Sequence, residues 1–78
     1  LRERARAAIT EWHAFIRTTV LSGQARGELN ADADPDQVAL VLISALEGAV
    51  MVGGLLQEHT PFLVVTDHLD RYIDTLAS

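Results

Sequence analysis

The chain has 78 residues, which is the length of one small domain, and its formal net charge is −5. Residues 1–26 hold five arginines and two acids, whereas residues 27–78 hold one arginine and nine acids. DNA binding needs a field of basic side chains, so this balance argues against direct nucleic-acid binding by these residues. The absence of Cys excludes a disulfide or a thiolate metal site, and the 49% hydrophobic content excludes general disorder.

The first predicted element is an amphipathic helix from Leu1 to about Ala25. Its apolar residues recur at steps of three and four, which is the helical period. They are Ala5, Ala8, Ile9, Trp12, Ile16, Val20 and Leu21. Gly27 follows and suits a left-handed helix end. Leu29 is the one large apolar residue of the polar connection, and we expect it to tuck back against the helix ends.

The second predicted helix runs from Pro35 to about Gln57. Asp34 is a good N-cap and Pro35 fits the first helical position. Within Val38–Leu56 only Ser44 and Glu47 are polar, so no amphipathic stripe remains. A helix that is apolar on every side must be buried on every side.

The third predicted helix is amphipathic and begins at Thr60-Pro61, with Thr60 as the expected cap. Its apolar stripe consists of Phe62, Val65, Leu69, Tyr72, Ile73 and Leu76. The sequence therefore predicts an all-α fold of three antiparallel helices.

Three helices of this length cover only part of the middle helix. Lipid, a second copy of the chain or further parts of the same protein would provide the missing cover. Lipid is disfavoured because Glu47 lies at the midpoint of the apolar stretch and no Lys or Arg lies at its flanks. A protein partner fits better.

A ridge of small residues marks where the middle helix packs closely on a neighbour. Ala45, Ala49 and Gly53 lie four apart, and Ser44 and Gly48 form a parallel ridge. One interpretation is contact with the third helix of the same chain. The other is a four-helix bundle in which the last two helices meet their two-fold copies.

The order and spacing of several short motifs resemble the C-terminal half of TetR-family transcriptional regulators. The motifs are Gly27-Glu28-Leu29, Asp32, Asp34-Pro35, Ala39 and Leu46-Glu47-Gly48-Ala49. The resemblance covers roughly residues 12–76 and implies a C-terminal regulatory and dimerisation domain over residues 1–78. It also implies a small-molecule effector, a homodimer, a cytoplasmic location and DNA contact only through an N-terminal helix-turn-helix domain, which these 78 residues lack.

The candidate effector-binding residues are the large side chains of the first helix and selected residues of the second. They are Trp12, Phe15, Ile16, Glu47, Met51 and Leu55. Ordinary core packing is the competing interpretation for all the apolar members of this set. For Glu47 we favour a structural role, either an ion pair with Arg17, Arg71 or His13 or a place at the edge of an interface.

The candidate dimer interface combines the small-residue ridges with the stripe of the third helix. Its residues are Ala45, Gly48, Ala49, Val52, Gly53, Val65, Leu69, Tyr72 and Leu76. His13, His59 and His68 lack a metal-binding spacing, and no nucleophile constellation is visible, so we expect no metal, cofactor or catalysis. The alternatives to a ligand-controlled regulator are a helical dimerisation module without a ligand and, less favoured, a membrane-associated helical protein.

Overall fold

The structure, a computed structural model, describes residues 2–78 and confirms the all-α prediction. Three helices follow one another: α1 (Arg2–Ala25), α2 (Pro35–Leu56) and α3 (Thr60–Thr75). Helix α2 packs against both of the others, whereas α1 and α3 make no helix-to-helix contact within residues 2–78. The molecule measures 40 × 29 × 13 Å, and its thinnest dimension is close to the ~10–12 Å diameter of one helix. The three helices therefore form a single layer with α2 in the middle.

Helix α1 ends where the sequence predicts. The helix ends at Ala25, and Gly27 adopts a left-handed φ of 74° that a residue with a Cβ atom disfavours. The following backbone turns back on the helix, because the amides of Glu28 and Leu29 both donate to the carbonyl of Gly23. Leu29 is half-buried against this helix end, as expected.

A backbone pairing between residues 28–30 and 76–78 joins the last residues to the α1–α2 loop, and we call it the C-terminal clasp. The amide of Asn30 donates to the carbonyl of Leu76 at 2.7 Å, and the amide of Ser78 donates to the carbonyl of Glu28 at 3.2 Å. The Ser78 hydroxyl also donates to the carbonyl of Gly27. The C-terminal ends of α1 and α3 consequently lie at the same end of the layer, where α2 begins.

The beginning of α2 follows the predicted capping pattern. The Asp34 carboxylate accepts hydrogen bonds from the amides of Asp36 and Gln37 at 2.9 and 3.3 Å, and Pro35 is the first helical residue. The helix ends at Leu56, one residue before the predicted end. Gln57 follows it in the left-handed region with a φ of 54°.

The predicted cap of α3 is wrong by one residue. Thr60 is already helical, and His59 occupies the capping position without a side-chain hydrogen bond to the helix. A cap at Thr60 would make Pro61 the first helical residue. The helix instead begins at Thr60, so Pro61 is its second residue.

The core of the single chain is small. The buried apolar side chains are Val20, Val38, Ala39, Ile43 and Ala49. Large apolar side chains of α2 remain exposed, among them Leu40 at 61% and Leu55 at 78%. Helix α2 touches a neighbouring helix only along two sides. Part of its apolar surface is therefore left uncovered within one chain, as its sequence predicts.

Candidate functional site

Two grooves run beside α2, and they lie on different sides of it. Leu46 lines a groove between α1 and α2, whereas Ser44 lines a groove between α2 and α3. Two residues along a helix correspond to a rotation of about 200° around its axis. The two grooves therefore lie on opposite sides of α2, and each is a separate candidate for cover.

The α1–α2 groove brings together the three aromatic and aliphatic residues that the sequence nominates on α1. The groove has a volume of about 340 Å³. Its lining consists of Trp12, Phe15 and Ile16 from α1 and Ile43 and Leu46 from α2. Trp12 is 51% exposed and Phe15 is 72% exposed, so these side chains form an open apolar wall rather than a packed core.

The structure places the other three candidate effector residues elsewhere. Met51 lines the α2–α3 groove, and Glu47 and Leu55 line neither groove. The predicted effector set is thus divided between opposite sides of α2, and only its α1 members share one surface. Their separation could not be predicted from the sequence pattern, because α2 is apolar all round.

Glu47 does not make any of the ion pairs expected for it, so that prediction is wrong within residues 2–78. Arg71 instead pairs with Asp67 one helical turn earlier, at 2.9 Å. His13 and Arg17 both face Asp36. Glu47 is exposed on the middle helix, and its predicted place at the edge of an interface stays a prediction.

Asp36 joins the first turn of α2 to α1 through two side chains, and we call this group the Asp36 cluster. Its Oδ1 lies 3.0 Å from Nε2 of His13 and 3.0 Å from Nε of Arg17. The hydrogen bond with His13, together with the charge of Arg17, holds the pKa of Asp36 below its ordinary range. The sequence signal was the spacing of His13 and Arg17, which places both on one face of α1.

The α2–α3 groove is broader, with a volume of about 440 Å³. Small residues of α2 form its floor, and Pro61, Val64 and Val65 contribute from α3. Five of the predicted interface residues line it: Ala45, Gly48, Ala49, Val52 and Val65. Ala49 is only 3% exposed, which fits the interpretation that its ridge packs on α3 of the same chain.

The remaining predicted interface residues are half-buried. Gly53 lines a separate pocket at the α2–α3 turn, Leu69 and Tyr72 lie on α3, and Leu76 is the residue that follows α3. A Cβ atom at Gly53 would meet the carbonyl oxygen of Glu58 at 2.8 Å, so the chain's own turn explains this glycine.

Gly48 has no such explanation within the chain. A Cβ atom built there meets nothing within 4 Å, although the residue lies in the middle of α2. Glycine in a helix interior costs roughly 0.5–1 kcal/mol relative to alanine. The close approach that would favour glycine at this position is not supplied by residues 2–78.

A third space, which we call the junction cavity, lies where all three helices and the α1–α2 loop meet. Its volume is about 200 Å³. The lining residues are Phe15, Ile16, Thr19, Val20, Leu29, Val38, Leu42, Ile73 and Leu76. It is the place where side chains of α1 and α3 face a common space.

Two further features concern metal ligands and the length of the apolar helix α2. Residues 2–78 contain no group of three or more His, Cys, Asp or Glu side chains placed to hold a metal ion. Helix α2 is long and apolar enough to cross a membrane by length and composition, a test that core helices of water-soluble proteins also pass.

Comparison with known proteins identifies the class of domain. The family model described as "Tetracyclin repressor-like, C-terminal domain" matches residues 1–69. The chain therefore belongs to this family of C-terminal regulatory domains of TetR transcriptional regulators, which are generally not enzymes.

A solved structure extends the match to the fold. The chain is similar to a TetR transcriptional regulator from Chloroflexus aurantiacus J-10-fl, with 45% identity and a TM-score of 0.90. The match covers 97% of this chain but only 38% of the length of that protein's chain. A search of curated proteins gives no match.

Proposed function

We propose that this chain is the effector-binding and dimerisation domain of a TetR-like transcriptional regulator. The α1–α2 groove takes part in binding a small-molecule effector, and the α2–α3 groove meets a second copy of the chain. DNA is contacted by a helix-turn-helix domain outside these 78 residues, and the protein works in the cytoplasm. Family membership supports this general role.

The observation that carries the proposal is the exposure of large apolar side chains along one side of α2. Leu40, Met51 and Leu55 are each more than 60% exposed in the single chain. Burying a large apolar side chain is worth about 1.5–3 kcal/mol, and a small domain is stable by only roughly 5–15 kcal/mol. Cover for these side chains is therefore worth a substantial fraction of the stability of the fold.

Gly48 and its surroundings favour the α2–α3 groove as the side that meets the second copy. Its small residues allow a helix to approach closely, and the open space at Gly48 is the position where a neighbouring helix would make glycine advantageous. Exposed Met51 and Val64 lie in the same groove and add apolar area. Ala49, in contrast, contributes to contact within the chain.

The wall formed by Trp12 and Phe15 favours the α1–α2 groove for the effector. Its side chains are large, apolar and open, and it lies on the side of α2 away from the proposed dimer contact. A ligand that binds better to one arrangement of α1 and α2 shifts the population towards that arrangement. Such a shift changes the separation of two attached DNA-binding domains, which in dimers of this type is about 34–36 Å.

The test is a charge placed in the proposed dimer contact. A Cβ atom at Gly48 meets no other atom of the chain within 4 Å, so Gly48→Arg is expected to leave the helix content unchanged while converting the dimer to a monomer in light scattering. Ala14→Arg is the matched control, because Ala14 is exposed on α1. It lines neither the α1–α2 groove, nor the α2–α3 groove, nor the junction cavity. A Gly48→Arg protein that remains as dimeric as the control contradicts the assignment of this groove.

A further inference from the structure

Glu47 is the only ionisable side chain in the interior of α2, between Val38 and Leu56. It lies seven residues after Leu40 and four residues before Met51, so these three side chains occupy one face of the helix. Both apolar neighbours are more than 60% exposed, and Glu47 is exposed with them. A cover that buries Leu40 and Met51 therefore encloses Glu47 as well.

A carboxylate that is enclosed in this way needs a partner of opposite charge. It loses its hydration, and the loss is compensated only if a cation or hydrogen-bond donors replace the water. Within residues 2–78 no basic side chain pairs with Glu47, and His13 and Arg17 are held by Asp36. The cation has to come from the molecule that supplies the cover.

Arg71 is the only lysine or arginine of residues 27–78, and it lies on the face that the second copy is proposed to meet. Val64 lines the α2–α3 groove, and Arg71 follows it by seven residues, two turns along the same face of α3. The Arg71 side chain is 69% exposed and pairs with exposed Asp67 at 2.9 Å. Because a guanidinium carries five N–H donors, Arg71 is able to bind a second carboxylate while it keeps Asp67.

We propose that Glu47 of each copy forms an ion pair with Arg71 of the partner subunit, and that this pair determines which chains can dimerise. The inference deepens the proposed function and rests on it in one respect, that a second copy meets α2 and α3 on this face. A two-fold axis between α2 and α3 places α2 of one copy against α3 of the other, and each contact between different residues then occurs twice. A chain with the wrong charge at either position is rejected by repulsion.

The experiment reverses the charge at each position separately and then at both together. Glu47→Arg and Arg71→Glu each bring like charges together, so each is expected to weaken the dimer about tenfold or more in a dilution series followed by light scattering. The double variant carries both reversed charges and is expected to recover most of the affinity of the unmodified protein. Circular dichroism establishes that the variants retain their helices.

A mixture of the two single variants separates a contact between copies from a contact within one chain. In a mixed dimer, the arginine introduced at position 47 meets the glutamate introduced at position 71, and the original Glu47 meets the original Arg71. An equimolar mixture is therefore expected to form heterodimers, detected by native mass spectrometry, although each variant alone dimerises poorly. A pair within one chain would be restored in the double variant but not in the mixture.

Arg26→Glu is the matched control for position 71. Arg26 is exposed, pairs with Glu28 at 3.1 Å and lines neither groove. Its reversal makes the same change in charge and is expected neither to weaken the dimer nor to produce heterodimers with Glu47→Arg.

A second pair of variants keeps the test decisive if a reversed charge prevents folding. Glu47→Gln and Arg71→Gln only remove a charge, and each is expected to weaken the dimer. Because the two side chains are proposed to contact each other, the effect of both changes together is expected to be smaller than the sum of the single effects.

Three results would overturn the ion pair: a Glu47→Arg dimer as tight as the unmodified one, additive effects of the two glutamine variants, or no heterodimers in the mixture. Each of these leaves the proposed function standing when the unmodified protein is a dimer and Gly48→Arg is a monomer. An unmodified protein that is monomeric at every concentration would instead refute the proposed dimer and the ion pair with it. The two failures are therefore distinguishable.

Discussion

Ser44 and Leu46 are two positions apart on α2, yet they face different grooves on opposite sides of the helix. This relationship follows from a layer that is one helix thick, because α1 and α3 pack against different sides of α2. It also explains why the sequence of α2 shows no polar stripe. The proposed function assigns the effector to the α1–α2 groove and the second copy to the α2–α3 groove.

The wall at Trp12 predicts binding of neutral apolar compounds along the α1–α2 groove. Trp12→Ser is expected to weaken binding of the neutral dye N-phenyl-1-naphthylamine severalfold, because it removes the largest apolar surface of the groove. The measurement is the increase in the dye's own emission on titration.

Leu21→Ser is the control for this change, since Leu21 is an exposed apolar residue of the same helix outside the groove. It is expected to leave the affinity for the dye unchanged. Equal weakening by both substitutions would show that the dye does not bind at the Trp12 wall.

The Asp36 cluster predicts a pH-dependent contribution to stability. The hydrogen bond with His13 and the charge of Arg17 lower the pKa of Asp36 in the folded protein relative to the unfolded chain. The resulting stabilisation is complete above the ordinary pKa of an aspartate, about 3.9, and is lost as the pH falls through the lower pKa of the folded state. Asp36→Asn is therefore expected to lower the thermal midpoint at pH 7, and this difference should shrink below about pH 4.

The control for the cluster is Asp32→Asn, which removes the same charge from an exposed position in the preceding loop. A smaller effect at pH 7 is expected for this variant. A difference between Asp36→Asn and the unmodified protein that persists at low pH would show that the ionised carboxylate is not the source of the stabilisation.

The close contact between Gly23 and Leu29 predicts that a larger residue at position 23 destabilises the end of α1. A Cβ atom there would lie 2.7 Å from Cδ1 and 2.9 Å from Cγ of Leu29, so Leu29 must move to accept it. Gly23→Ala is expected to reduce the free energy of unfolding by about 1–3 kcal/mol, measured in urea. Shortening the neighbour in a Gly23→Ala and Leu29→Ala double variant should remove part of the additional cost.

A glycine with free space around it is the matched control. Gly54 has nothing within 4 Å of a built Cβ atom, so Gly54→Ala is expected to be neutral or to stabilise α2 by up to about 1 kcal/mol. Equal stability of the two alanine variants would contradict the close contact between Gly23 and Leu29.

Predictions from the sequence succeed where neighbouring residues determine the structure. Asp34, Pro35 and Gly27 fix helix ends through their own backbone geometry and hydrogen bonds, and the structure confirms all three. The cap at Thr60 is the exception, because Thr60 and Pro61 are both helical and His59 precedes them without a capping side chain.

Sequence patterns were insufficient where the partner is distant in the chain. The apolar surface of α2 carries no information on which side faces which neighbour, so Met51 was grouped with Trp12 although they lie in different grooves. The partner of Arg17 is Asp36 rather than the expected Glu47. The junction cavity depends on the pairing of Leu29 with Ala77, which no local pattern indicates.

The central claim is that a second copy covers one apolar face of α2. Light scattering of the protein in water without detergent, over a tenfold range of concentration, tests it most directly. The account predicts a mass twice that of one chain. A mass equal to one chain throughout, with the helices intact, would contradict it.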